Sequence, residues 1–255
     1  MEYEKHKIGD YSMINEYLRA GYPGLVALTY EPSRAETTLA PSGHWESFSW
    51  DCQRGIEVAG SGQVLEDVTD PQQAVNFLNS KQNTVLFAHN LNQFLDNPEL
   101  NQAISNGIDR WKALGNCLVI LAPQVNLPPE LEKCFTVVDF PLPNQDELLD
   151  IQKDIAESLE IEPDPHTAHM AKGLTALEAE AAFALSLVRT HGFSPEQINQ
   201  VKAQTLKKSG LLEYWQAEDI SQVGGLGRLK DYISKRTEAI TNPATTMPRT
   251  KGVLL

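Results

Sequence analysis

The chain has 255 residues, with 21 Lys and Arg against 34 Asp and Glu, giving a formal net charge of −13. Its 41% hydrophobic content is that of a globular chain rather than a disordered one, and its length suits one large domain or one domain with an appendage. The acidic balance argues against a large nucleic-acid footprint, and no apolar run approaches the ~20 residues that a membrane-spanning helix needs.

In chain order, a helix is predicted over 12–20, where Ile14, Tyr17 and Leu18 share one face, and Gly21-Tyr22-Pro23-Gly24 stops it. The apolar run 25–30 does not alternate, which suits a strand covered on both faces. Pro32 fits a first helical turn, and 34–40 reads as a helix. A second strand, 44–50, carries Trp45, Phe48 and Trp50. Gly55, Gly60 and Gly62 make 51–62 read as a loop. Asp70 and Pro71 open a helix to about residue 80, followed by a strand over 84–88 and a polar turn over 89–95. Asn97-Pro98 opens a helix to about residue 113. A fourth strand follows at 117–122, then a proline-rich loop over 123–129 and a fifth strand over 135–140.

Strands alternating with helices predict an α/β fold with a parallel five-stranded sheet, because parallel strands need helical crossovers. After Pro141-Leu142-Pro143 only helices are expected. Asn144 caps one that runs to about residue 159, and 162–165 is a break. Another spans 174–191 with a Thr175/Glu178 capping box, and a third opens at Ser194-Pro195 and reaches about residue 209. A loop at 217–226 leads to a helix over 227–239, and 248–255 reads as the opening of a buried strand. A strand starting at the last residues is ordinary for a fragment, so the reading frame is expected to continue past Leu255.

An α/β sheet followed by a small helical lid resembles the plan of AAA ATPases. The segments ISQVGGLGRLKDYISKR and MPRTKGVLL resemble the entry to an AAA module, where a Val-Gly-Gly-Leu turn precedes a helix and a strand runs into the phosphate-binding loop. LEDVTDPQQAVNFL, NTVLFAHNLNQFL, LVILAPQVNLPPELEKCFTVVDFPLP and LTALEAEAAFALSLVRTHG look like the N-terminal half of the uncharacterised AAA ATPases of cyanobacteria, chloroplast genomes and some phages. The resemblance implies a P-loop-NTPase-like (AAA/RecA-like) sheet. It also implies a degenerate AAA-like domain over 1–143, a helical lid over 144–216, and over 217–255 a linker and the start of a second module, truncated before its phosphate loop. By carry-over, Gln222, Val223 and Gly224 match the turn that contacts adenine, although Gln222 stands where the family more often has Asp.

Where a phosphate loop would need G-x-x-x-x-G-K-[ST], this chain has Thr29-Tyr30-Glu31-Pro32-Ser33-Arg34-Ala35-Glu36, without glycine or lysine. Pro32 removes a donor, and Glu31 and Glu36 would repel a polyphosphate. His89-Asn90 replaces the expected Asp-Glu after the third strand, and Ala122-Pro123-Gln124 stands in place of a polar sensor. The expectation is a regulatory or scaffolding domain that keeps the fold and has lost catalysis. ATP and Mg²⁺ then belong to the full-length ATPase, none is expected for this chain alone, and the partners are the downstream AAA module, neighbouring subunits and a protein substrate. The rival reading is a stand-alone adaptor; a third, an unrelated hydrolase, needs an acid or nucleophile beside His89.

Other residues carry weaker signals. His166 and His169 stand three apart, as a metal pair on a helix can, although exposed loop histidines are the plainer reading. Cys52, Cys117 and Cys134 have no C-x-x-C spacing, so reduced thiols and no structural zinc are expected, with Cys52 and Cys134 read as buried rather than nucleophilic. Trp45, Phe48 and Trp50 are expected to pack rather than to stack bases, and Lys202, Lys207 and Lys208 to form a solvated helix end. The first 18 residues lack an apolar signal core, so a cytoplasmic protein is expected.

Overall fold

A computed structural model describes residues 13–159, 161–209 and 224–241. The chain divides into two compact units, Met1–Lys202 and Ala203–Leu255. In the first unit α1 (Met13–Arg19), β1 (Gly24–Leu28), α2 (Pro32–Thr38) and β2 (Glu46–Asp51) come first. Then follow β3 (Gly55–Val58), β4 (Gln63–Glu66), α3 (Pro71–Asn79), β5 (Thr84–His89), α4 (Pro98–Leu114), β6 (Cys117–Ala122) and β7 (Thr136–Asp139). Helices α5 (Gln145–Ala156), α6 (Pro165–Met170) and α7 (Ala176–Thr190) complete the series, and α8 (Pro195–Ser209) begins in the first unit and ends in the second. The second unit holds α9 (Gly227–Thr241).

The fold is α/β with a mostly parallel sheet and a helical C-terminal part. The sheet has seven strands in the order β4-β3-β2-β5-β6-β1-β7, so the expected five parallel strands carry two more, added antiparallel at the β2 edge. Strand β3 corrects the loop expected over 51–62, and β4 follows it at residues to which the sequence reading assigns no element. The glycines there sit at the turns and leave strand residues between them. Gly55 enters β3 at φ +78°, and Gly60 and Gly62 bracket the β3–β4 turn at +73° and +65°. Asp51 Oδ1 accepts from Gln53 N and Arg54 N, closing the β2–β3 turn.

Strands β5 and β6 are buried at every residue, as their unbroken apolar runs require. Period-two alternation divides their side chains between two cores. Leu86, Leu118 and Ile120 meet α3 and α4 through Leu78, Leu100, Ile104 and Trp111. Val85, Phe87, Val119 and Leu121 meet α1 and α2 through Ile14, Leu18, Ala35 and Leu39. A third core joins the helices after the sheet, with Leu148, Ala168, Leu174, Phe183 and Ile198 fully or nearly fully buried.

Helix starts follow their side-chain caps. Asp70 accepts from Gln73 N, and the capping boxes Asn144/Glu147 and Thr175/Glu178 are both formed. Helix α6 was not expected, because Asp164-Pro165 reads as a break. In the structure Asp164 accepts from His166 N and Thr167 N, and Pro165 occupies the first helical position, the same start as at Asp70-Pro71. At the start of α8 the Ser194 hydroxyl donates to the Glu196 carboxylate.

Strand β1 lies inside the sheet between β6 and β7. Its connection leads away across β6 and β5 to β2, while that of β6 leads over β1 to β7. The carboxyl ends of β1 and β6 therefore flank a topological switch point, where open sheets place ligands.

A Cβ on Gly55 would stand 2.5 Å from Glu66 O and 2.8 Å from Val68 N, both backbone atoms that cannot swing aside. Gly55→Ala is expected to cost about 2 kcal/mol of stability, read as a lowered urea midpoint.

Candidate functional site

The first crossover begins where β1 ends. Thr29 N donates to Ala122 O, and Thr29 Oγ1 accepts from Glu31 N at 2.8 Å, which turns the chain off the sheet. Tyr30 projects outward, 79% exposed. Pro32 then starts α2, and Glu31 at its N-cap makes no side-chain cap. Its carboxylate is used elsewhere: Oε2 accepts from Arg34 Nε and Nη2 at 3.2 and 3.1 Å, and Oε1 accepts from Ala176 N, the first residue of α7, at 2.5 Å.

Arg34 completes the junction. Nη1 donates to Glu147 Oε1 at 3.3 Å, Nη2 donates to Pro141 O, and the guanidinium lies 4.5 Å from the Phe140 ring centroid. Glu147 divides its carboxylate, because its other oxygen accepts from Asn144 N in the capping box of α5. The crossover is thus tied to the N-termini of both α5 and α7, with negative charge placed where helix dipoles favour it. The Glu31 and Arg34 side chains are only 9% and 19% exposed.

A second polar cluster lies further along α2. His89 Nε2 is 2.7 Å from Glu36 Oε2, and Gly60 N donates to Glu36 Oε1 at 2.9 Å. Burial alone would raise the Glu36 pKa. The His89, Gly60 and Ser49 hydrogen bonds and the His89 charge outweigh it, holding the carboxyl below its ordinary value of 4.5. Sequence reasoning placed His89 at the strand end but found it no partner; the structure supplies Glu36, 53 positions away. Glu36, Ser49 and His89 are all buried, so the cluster offers a substrate little surface.

These residues do not fit a triphosphate. A phosphate cradle needs free backbone N–H groups and an available cation. Here the cation at the crossover is engaged by two carboxylates and a carbonyl, and α2 spans only seven residues.

Gln222 and Val223 lie outside the described residues, and Gly224 is exposed. His166 is exposed, and His169 Nδ1 is 3.2 Å from Gln145 Oε1. Among the described residues no group of three His, Cys, Asp or Glu is placed to hold a metal ion. Cys117 is buried, which pushes its thiol pKa up. Cys52 is exposed, against expectation, because it sits in the β2–β3 turn, and Cys134 is half-buried. Phe48 and Trp50 pack in the core as expected, with Trp50 Nε1 donating to Val68 O. Lys202 corrects the solvated-end reading: its ammonium donates to Met170 O and Lys172 O at the end of α6, and burial lowers its pKa.

The family model for the N-terminal domain of SpoVK-like AAA ATPases matches residues 11–140. An uncharacterized AAA domain-containing protein, ycf46, of Trieres chinensis is 24% identical over 255 residues, covering 93% of this chain and 51% of that protein. The corresponding protein of Guillardia theta is 24% identical over 257 residues, covering 93% and 50%. The chain thus spans about half the length of the curated relatives it matches. Among solved structures, the RuvB Holliday junction branch migration motor of Thermotoga maritima is 16% identical. It covers 76% of this chain and 68% of its own at a TM-score of 0.45.

Two outcomes are expected. Arg34→Ala leaves the half-buried Glu31 carboxylate without its cation and is expected to cost about 2 kcal/mol, with faster amide exchange at the starts of α5 and α7. Glu36 has a depressed folded pKa, so its contribution to stability is full above 4.5 and is lost as pH falls through the folded value. Thermal melts of Glu36→Gln against wild type are expected to show a gap that narrows on acidification. The acid limb is expected to be reduced rather than abolished, because Asp51, held down by Arg54, acts in the same direction.

Proposed function

Because the chain belongs to the SpoVK-like AAA ATPase N-terminal domain family, we propose that it is the non-hydrolysing, regulatory or scaffolding part of an AAA-family ATPase. On this reading residues 1–143 are a degenerate AAA-like domain, 144–216 its helical lid, and 217–255 lead into a second module. That module binds ATP and Mg²⁺ and hydrolyses the terminal phosphate in a cytoplasmic oligomer. Gln222, Val223 and Gly224 serve the adenine of its nucleotide rather than one held by the first sheet.

One observation carries the proposal: at the switch point of the sheet, Glu31 and Arg34 bond to each other and to the starts of α5 and α7. In a working ATPase that gap between sheet and lid must open for a triphosphate and close on it. Here internal hydrogen bonds span it, so the sheet and the helices after it behave as one body. A body of that kind can present a surface or brace a neighbouring module, and it has no phosphate cycle with which to move.

The test is isothermal titration of this chain with Mg-ATP. No saturable heat is expected. Saturable binding that Glu31→Ala or His89→Ala abolishes would overturn the proposal.

A further inference from the structure

A cleft of about 910 Å³ opens beyond the carboxyl ends of β5 and β6, where the function proposed above makes no use of it. One wall is formed by the 3-10 turn Leu91–Phe94 and the start of α4, and the other by the proline-rich segment after β6. Asn92 Nδ2 donates to Gln124 O at 3.0 Å and joins the two walls.

Two of the three asparagines lining this cleft, Asn92 and Asn101, leave an acceptor unused. Asn101 is 6% exposed, its Nδ2 donates to Leu95 O at 2.8 Å, and its Oδ1 has no partner. Asn92 Oδ1 is likewise buried and unpartnered. Turning either amide over gives no relief, because its oxygen would then face the Leu95 or Gln124 carbonyl. Native interiors rarely tolerate such acceptors, since each has given up water for nothing, and an incoming N–H removes that cost.

Charge specifies the donor. Asp96, Glu130 and Glu132 line the cleft, and no Lys, Arg or His does. These carboxylates do not converge on a cation site: among the described residues no set of three acids, His or Cys could hold a metal ion. Dispersed negative charge and orphan acceptors on two separate elements fit an extended ligand with several N–H donors and more than one positive charge. Guanidinium groups carry five donors and no acceptor, and a peptide backbone adds further N–H groups along its length. We propose that this cleft docks an arginine-bearing segment of a protein partner. The proposal stands whether or not the chain binds nucleotide.

The probe is a fluorescein-labelled peptide alternating glycine and arginine, followed by anisotropy and by the side-chain amide signals of Asn92 and Asn101 in ¹⁵N-labelled protein. Saturable binding is expected, with both amide pairs shifting. Asp96→Asn/Glu130→Gln/Glu132→Gln, which alters only exposed side chains, is expected to weaken it by about tenfold. A glycine–glutamate peptide should not bind, and spermidine should compete poorly. Absence of saturable binding, unmoved Asn92 and Asn101 amides, an unaffected triple variant, or spermidine displacing the peptide at equal concentration would each overturn the proposal.

Discussion

The Glu31 carboxylate is the point on which the rest of the structure turns. It accepts from Arg34 on its own helix and from the first N–H of α7, 145 positions away. Few single groups do as much to relate two parts of a chain. The sheet has its own cores on either face, and the helices after it have a third, so neither part needs the other for burial. What relates them at this end is polar: Glu31, Arg34 and Glu147, together with the Pro141 carbonyl. Hydrogen bonds to charged groups in a half-buried setting are directional, and they fix orientation more sharply than apolar contact does.

The same chemistry bears on the proposed function. A residue type that disfavours phosphate at a β-to-α crossover is only a negative signal in the sequence. The structure turns it into a positive one, because each acidic residue of that crossover has an assignment. Glu31 holds the following helices, and Glu36 holds His89 and the β3–β4 turn. The residues that stand where a phosphate loop would need glycine and lysine are therefore engaged in bracing the fold.

Much of this was legible in the sequence, and the exceptions have physical causes. Strands β5 and β6 could be read from unbroken apolar runs, and α3, α5 and α7 from caps that act within three residues. Strands β3 and β4 were missed because they are short and flanked by glycines whose role is to turn the chain, and β4 is exposed throughout, so no burial pattern marks it. Helix α6 was missed because its prolines look like breakers when one of them is a starter. The pairing of Glu36 with His89 has no local signature at all: one sits mid-helix and the other at a strand end, and only the sheet order brings them together. Lys202 is similar, since nothing near it in sequence announces the carbonyls of Met170 and Lys172 that its ammonium meets.

The polar groups of the first crossover are committed within the protein. A high-resolution crystal structure of this chain grown with a non-hydrolysable ATP analogue and Mg²⁺ tests it most directly. Arg34 is expected to remain bonded to Glu31 and Glu147, with no polyphosphate against residues 29–35. A triphosphate seated there, with Arg34 swung out of its carboxylate contacts to meet it, would contradict the account.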